Sequence, residues 1–115
     1  MSDDANMSLV RGTVDLLILK AVSVEPRHGY AVSEWVESVT DGTLLVEEGT
    51  LYPALHRLEN KGLVAATWGL SENNRRAKFY ALTAKGRGHL ERESGRWTRY
   101  TAAVAKALAT PGPKP

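Results

Sequence analysis

No cysteine occurs in the 115 residues. That removes disulfides, thiolate metal sites and cysteine nucleophiles, and it fits an intracellular protein. No apolar run approaches the roughly 18 residues of a membrane span. The opening Met1-Ser2-Asp3-Asp4-Ala5-Asn6 is acidic and polar, unlike a secretory leader. The expected compartment is therefore cytoplasmic, with no membrane partner. Histidine occurs only at His28, His56 and His89, too far apart for a matched ligand set, so no metal is expected. The serines sit in no nucleophile motif, and Gly86-Arg87-Gly88 falls inside a helical stretch where a phosphate loop is out of context. Neither a cofactor, a catalytic residue nor an enzyme is expected. Internal repeats and low-complexity blocks are also missing.

What the chain does have is a lopsided charge. The net charge is only +2. Residues 1–49 carry three cations against nine acids, a net of −6, whereas residues 50–99 carry ten cations against four acids, a net of +6. An acidic first half and a basic second half point to a polyanion bound on one side of the molecule. The hydrophobic share of 43% supports one modest core, which a partner subunit would help to complete.

The most informative stretch is Glu48-Gly49-Thr50-Leu51-Tyr52-Pro53-Ala54-Leu55-His56-Arg57-Leu58-Glu59-Asn60-Lys61-Gly62. Leu51, Ala54, Leu55 and Leu58 recur at i, i+3, i+4 and i+7, placing them on one side of a helix over 48–61. The other side offers Thr50, Tyr52, Pro53, His56, Arg57, Asn60 and Lys61. A helix that is apolar beneath and rich in hydrogen-bonding groups above suits the reading of base edges in a DNA groove, although any amphipathic surface helix shares the apolar stripe. Tyr52 has a second reading as a partial lid on the core. Pro53 places the helix start only a few residues upstream, and Gly62 suits a left-handed stop.

Around this helix the chain reads as follows. Residues 1–8 are expected to be disordered. A first helix over 13–24 has Val14, Leu17, Ile18 and Ala21 as its stripe, but Leu16, Leu19 and Val22 are apolar too. Its second face is expected to meet another subunit or the C-terminal helix. Glu25-Pro26-Arg27-His28-Gly29 reads as a turn, and helix two over 30–39 points Ala31, Trp35, Val36 and Val39 inward. Leu44-Leu45-Val46 suggests a short strand ahead of helix three. The pair of helices fits a helix-turn-helix with a long turn. Two strands over 63–68 and 78–82 then flank a polar tip, giving a wing at 69–78 that carries Asn73, Asn74, Arg75, Arg76 and Lys78. Cations there would give salt-dependent contact with phosphates, with the amides hydrogen-bonding beside them. Thr83 caps a last helix over 84–109, and 110–115, with three prolines, is expected to be a disordered tail. Leu90, Trp97, Val104 and Leu108 form a narrow apolar seam on that helix, best matched by its twin in a homodimer. Trp97 either fills that seam or, with its symmetry mate, encloses a slot for a small planar aromatic effector.

Four segments together resemble the PadR family of bacterial transcriptional regulators. They are Leu9-Val10-Arg11-Gly12-Thr13-Val14-Asp15-Leu16-Leu17-Ile18-Leu19, His28-Gly29-Tyr30, the run from Glu48 to Glu59, and Asn74-Arg75-Arg76-Ala77-Lys78-Phe79-Tyr80-Ala81-Leu82-Thr83. The resemblance implies a mainly α fold with a small β-hairpin: a winged helix-turn-helix over 9–83 followed by a C-terminal dimerisation helix over 84–109. It implies double-stranded DNA as partner and, for most members, repression, with some members released by small phenolic or drug-like molecules. On these motifs the DNA-facing positions are Thr50, Tyr52, Pro53 and His56 on the helix, with Arg75, Arg76 and Lys78 on the wing. Asn74 joins them from the hairpin tip, and Leu16 and Leu19 join Leu90, Trp97, Val104 and Leu108 as dimerisation positions. The longer branch of the family has more than one C-terminal helix, so a single one leaves little room for a deep ligand pocket. The rival functions are a winged helix that docks a protein partner and a ligand sensor with its site at Trp97.

Overall fold

The computed structural model describes Leu9 and residues 12–113. The disordered start expected over 1–8 and the final two residues of the expected tail lie outside the described residues. Seven elements follow one another: α1 (Thr13–Ala21), β1 (Arg27–His28), α2 (Gly29–Val39), α3 (Glu48–Asn60), β2 (Val64–Leu70), β3 (Arg76–Leu82) and α4 (Ala84–Ala109). The sheet is antiparallel with strand order β1-β3-β2. It is therefore a hairpin with a third, two-residue strand lying within the turn expected over 25–29.

Leu51, Ala54, Leu55 and Leu58 of α3 are buried as their spacing predicts. They meet Ile18, Leu19 and Ala21 of α1 with Val22 just after it, Val32 and Val36 of α2, Leu63 just before β2, and Val64 and Tyr80 of the sheet in one core. One helix face differs from expectation and another is decided between two. In α2 the fully buried apolar side chains are Val32 and Val36, while Val39 is exposed and Ala31 and Trp35 are half-buried. In α1 the second apolar face meets the C-terminal helix, one of the two partners expected for it: α4 packs against α1 and brings Leu90 into the core, while Leu16 stays partly open. Leu19 has no exposed surface and Leu90 retains only 8%. Both are thus withdrawn from the dimerisation positions, since a side chain already enclosed by its own chain has no area left to bury against another.

The end of α3 and the start of α4 are satisfied by local groups. Gly62, at φ 77°, ends α3 in a Schellman arrangement: the Gly62 N–H donates to the Glu59 carbonyl and the Leu63 N–H to that of Leu58, each at 3.0 Å. The 40–47 connection is tied down by Ser33, whose hydroxyl donates to the Val46 carbonyl at 2.8 Å, and by Thr40, whose Oγ1 accepts from the Leu44 N–H. No strand forms at 44–46; Leu44 makes an isolated bridge only. Thr83 caps α4, its Oγ1 accepting from the Gly86 N–H at 2.9 Å while donating to the Gly62 carbonyl at 2.7 Å. One threonine thus joins the end of α3, the end of the wing and the start of α4.

From there α4 runs 26 residues, about 39 Å, and its second half leaves the rest of the molecule. The radius of gyration is 16.6 Å, against about 13 Å for a compact chain of this length. No helix among the described residues is long and apolar enough to cross a membrane.

Candidate nucleic-acid interface

The outer side of α3 starts with Thr50 in its first turn, followed by Tyr52, Pro53 and His56, all exposed. Pro53 lies in the second turn, one turn deeper than its missing N–H would favour, so the carbonyl of Gly49 loses its helical partner there. Tyr52 is held rather than free. Its ring lies over Gly29, the first residue of α2, where a Cβ would come within 2.7 Å of the Tyr52 Cε1 and hydroxyl. Glycine at that position lets the phenol rest on the N-terminus of α2 and still keep 45% of its surface open. Arg57 leaves this face: its guanidinium pairs with Asp15 of α1.

The wing tip is built by its short polar residues. The Ser71 N–H donates to the Arg75 carbonyl and the Asn74 N–H to the Ser71 carbonyl, each at 2.8 Å. Asn74 sits at φ 59°, a left-handed conformation that asparagine tolerates better than most residues. The visible task of Asn74, one of the expected DNA contacts, is therefore to make this turn. Arg75 and Arg76 follow it, both exposed.

Lys78, expected among the DNA-facing positions, is paired within the chain. Its ammonium donates to Oε1 of Glu59 on α3 at 3.3 Å and lies 5.9 Å from the centre of the Tyr80 ring. This pairing links the wing to α3 and shares the Lys78 charge with Glu59. Burial raises the Tyr80 phenol above its ordinary pKa, with Lys78 opposing.

His28, expected to be a plain turn residue, has three contacts. Its Nδ1 accepts from the Ala31 N–H at 3.2 Å, capping α2. In the neutral ring this requires the proton on Nε2, which donates to Oε1 of Glu72 in the wing tip at 3.1 Å. The ring edge meets Phe79 with centroids 5.3 Å apart. A backbone hydrogen bond at Glu72 itself, then the His28 bond, hold the Glu72 carboxyl below the usual carboxylate range. The signal for this cap was present in the sequence as a histidine ahead of a glycine-started helix.

Tyr52, the N-terminus of α2 and the wing enclose an open groove of about 750 Å³, lined among others by His28, Tyr30, Trp68, Arg75 and Arg76. The structure thus places Tyr52 and the wing arginines around one groove, while Thr50, Pro53 and His56 lie along α3 outside its lining. A second, shallower groove of about 430 Å³ is lined by Gly12, Leu16, Glu93, Arg96, Trp97, Arg99 and Tyr100. Leu16 and Trp97 therefore do share a surface, and Val104 and Leu108 continue exposed along α4.

Two helices joined by a tethered turn, with a basic hairpin directly after the second, define a winged helix-turn-helix, the architecture of DNA-binding transcription regulators. Comparison with known proteins makes the assignment specific. The model of the PadR-like transcriptional regulator family matches residues 18–92, and the chain belongs to that family. A solved transcriptional regulator from Clostridium thermocellum is similar, at 29% identity and a TM-score of 0.75, covering 84% of this chain and 93% of that one. A PadR family regulator from Eggerthella lenta is 34% identical with a TM-score of 0.71, covering 88% and 86% of the two chains. The transcriptional regulator YqjI of Escherichia coli is 31% identical over 80 residues, which span 70% of this chain but only 37% of YqjI. The protein is accordingly a DNA-binding transcriptional regulator of the PadR-like family.

Proposed function

We propose that the protein is a cytoplasmic, homodimeric repressor. Its α3 helices enter successive major grooves of a pseudo-palindromic operator, on the order of 34–36 Å apart, while the wings grip the backbone. The observation that carries this reading is the groove shared by Tyr52 of α3 and Arg75 and Arg76 of the wing. It joins a side chain suited to base edges with cations suited to phosphate on one face. Thr50, Pro53 and His56 extend the reading surface along α3, and Leu16, Trp97, Val104 and Leu108 form the dimer seam. Selecting bound duplexes from genomic fragments tests it. The expected outcome is an inverted-repeat consensus, and Tyr52→Ala should lower discrimination against mixed-sequence DNA more than it lowers binding to that DNA. Recovery of sequences without half-site symmetry, or equal losses on both DNAs, would overturn the reading.

A second reading, an effector site at Trp97, is favoured by one feature. The Trp97 and Tyr100 rings lie 6.1 Å apart at the groove containing Leu16 and two arginines. Paired across a dimer, such rings could stack on a planar aromatic ligand. Titration with planar dyes should quench tryptophan fluorescence saturably; a strictly linear response would remove the site.

A further inference from the structure

Trp68 stands on β2 with 60% of its surface exposed, contributing little to the core. In the strand register it faces Lys78, whose charge is engaged by Glu59, while Arg76 lies diagonally two residues away at the mouth of the hairpin. The Arg76 guanidinium lies over the indole, its Cζ 4.6 Å from the ring centroid. Arg75, next to it, has no side-chain partner among the described residues.

We infer that Trp68 is the positioning residue of the wing: it holds Arg76 in the orientation in which the guanidinium meets a DNA phosphate. The inference rests on the reading of the wing as a backbone contact. Stacking engages the face of a guanidinium, whereas its N–H groups lie in the plane and point outward. A stacked arginine therefore keeps its bidentate edge free for phosphate oxygens. Holding it there removes the rotamer freedom that a long exposed side chain otherwise loses on binding. Arg75 supplies charge without that pre-organisation, and Lys78 supplies neither, being tied to Glu59. The wing's productive contact is thus concentrated in the Arg76–Trp68 pair.

The test is a double-mutant cycle on mixed-sequence duplex DNA across a range of potassium chloride concentrations. This probe suits a contact that ignores sequence. Trp68→Ala is expected to weaken binding several-fold at every salt concentration with the salt slope unchanged, because the cation remains. Trp68→Phe should restore most of the affinity. Arg76→Ala should flatten the slope by about one unit, and adding Trp68→Ala to it should cost nothing more. Equal losses from Trp68→Ala with and without Arg76 would overturn the inference, since the indole would then act on DNA or the wing directly. Tighter binding by Trp68→Ala would also overturn it, showing that the stack sequesters the cation. If Arg76→Ala left both affinity and slope intact, the phosphate reading of the wing would fail instead, a result separable from either of these.

Discussion

At Gly86 a hydrogen occupies the only space between α4 and the base of the wing. A Cβ there would overlap the Leu63 carbonyl oxygen and lie 2.8 Å from Cδ1 of Leu82. Gly86 and Gly88, both weak helix formers by propensity, therefore have different meanings. Gly86→Ala should destabilise by about 1–3 kcal/mol through overpacking, despite the helix propensity gained. Gly88→Ala meets only the flexible end of Arg92 at 3.3 Å and should be neutral or stabilising by up to about 1 kcal/mol. Urea midpoints at constant slope would check both, and a harmless Gly86→Ala would mean that α4 sits elsewhere. The Glu72 carboxyl, held first by a backbone hydrogen bond and then by His28, has a pH signature. Folding lowers the Glu72 pKa, so its contribution is fully present above the unfolded value and is lost as pH falls through the folded one. Amide resonances over 71–75 should titrate below the usual carboxylate range in the wild type, and Glu72→Gln should abolish that transition.

Among the elements, α3 and the wing were the most legible. The spacing of Leu51, Ala54, Leu55 and Leu58 left one helical solution, and the strands and the Thr83 cap followed from local composition. Two features were out of reach for physical reasons. Strand β1 has two residues between a proline and a glycine, too short to display any period. The apolar girdle of α1 could not say which of Leu16 and Leu19 faces outward, because a helix greasy all round has no direction in its moment. Similarly, Lys78 reads as a wing cation until Glu59, distant in sequence, is found beside it. This pairing distinguishes the wing's cations in solution. Arg75→Ala should weaken binding to all DNA and reduce the salt slope by about one unit, whereas Lys78→Ala should barely move that slope. Measured by titration over a salt series, an equal reduction for both would show that Lys78 is released from Glu59 on binding.

For the whole molecule the decisive feature is the unpartnered second half of α4. Trp97, Val104 and Leu108 are exposed there, at 36%, 39% and 81%, along a helix that leaves the core behind. Water contact over such a stripe is unfavourable, and the second copy proposed above would remove it. Val104→Asp combined with Leu108→Asp should give a monomer by sedimentation with unchanged helical content, and operator affinity should fall far more than affinity for a single half-site. A dimer surviving both changes would place the seam elsewhere.

Because the Thr83 junction passes into α4 with no break before Ala109, that helix is a rigid gauge between the reading head and the far tip. One extra residue spliced in at Gly95 would swing Trp97, Val104 and Leu108 by about 100° around the axis while the head stayed still. Seven extra residues would return the stripe nearly to its original bearing, but about 10 Å farther out. The arithmetic of helical turns thus governs how two heads would be aimed, and lengthening the shaft re-phases the molecule against any fixed ruler.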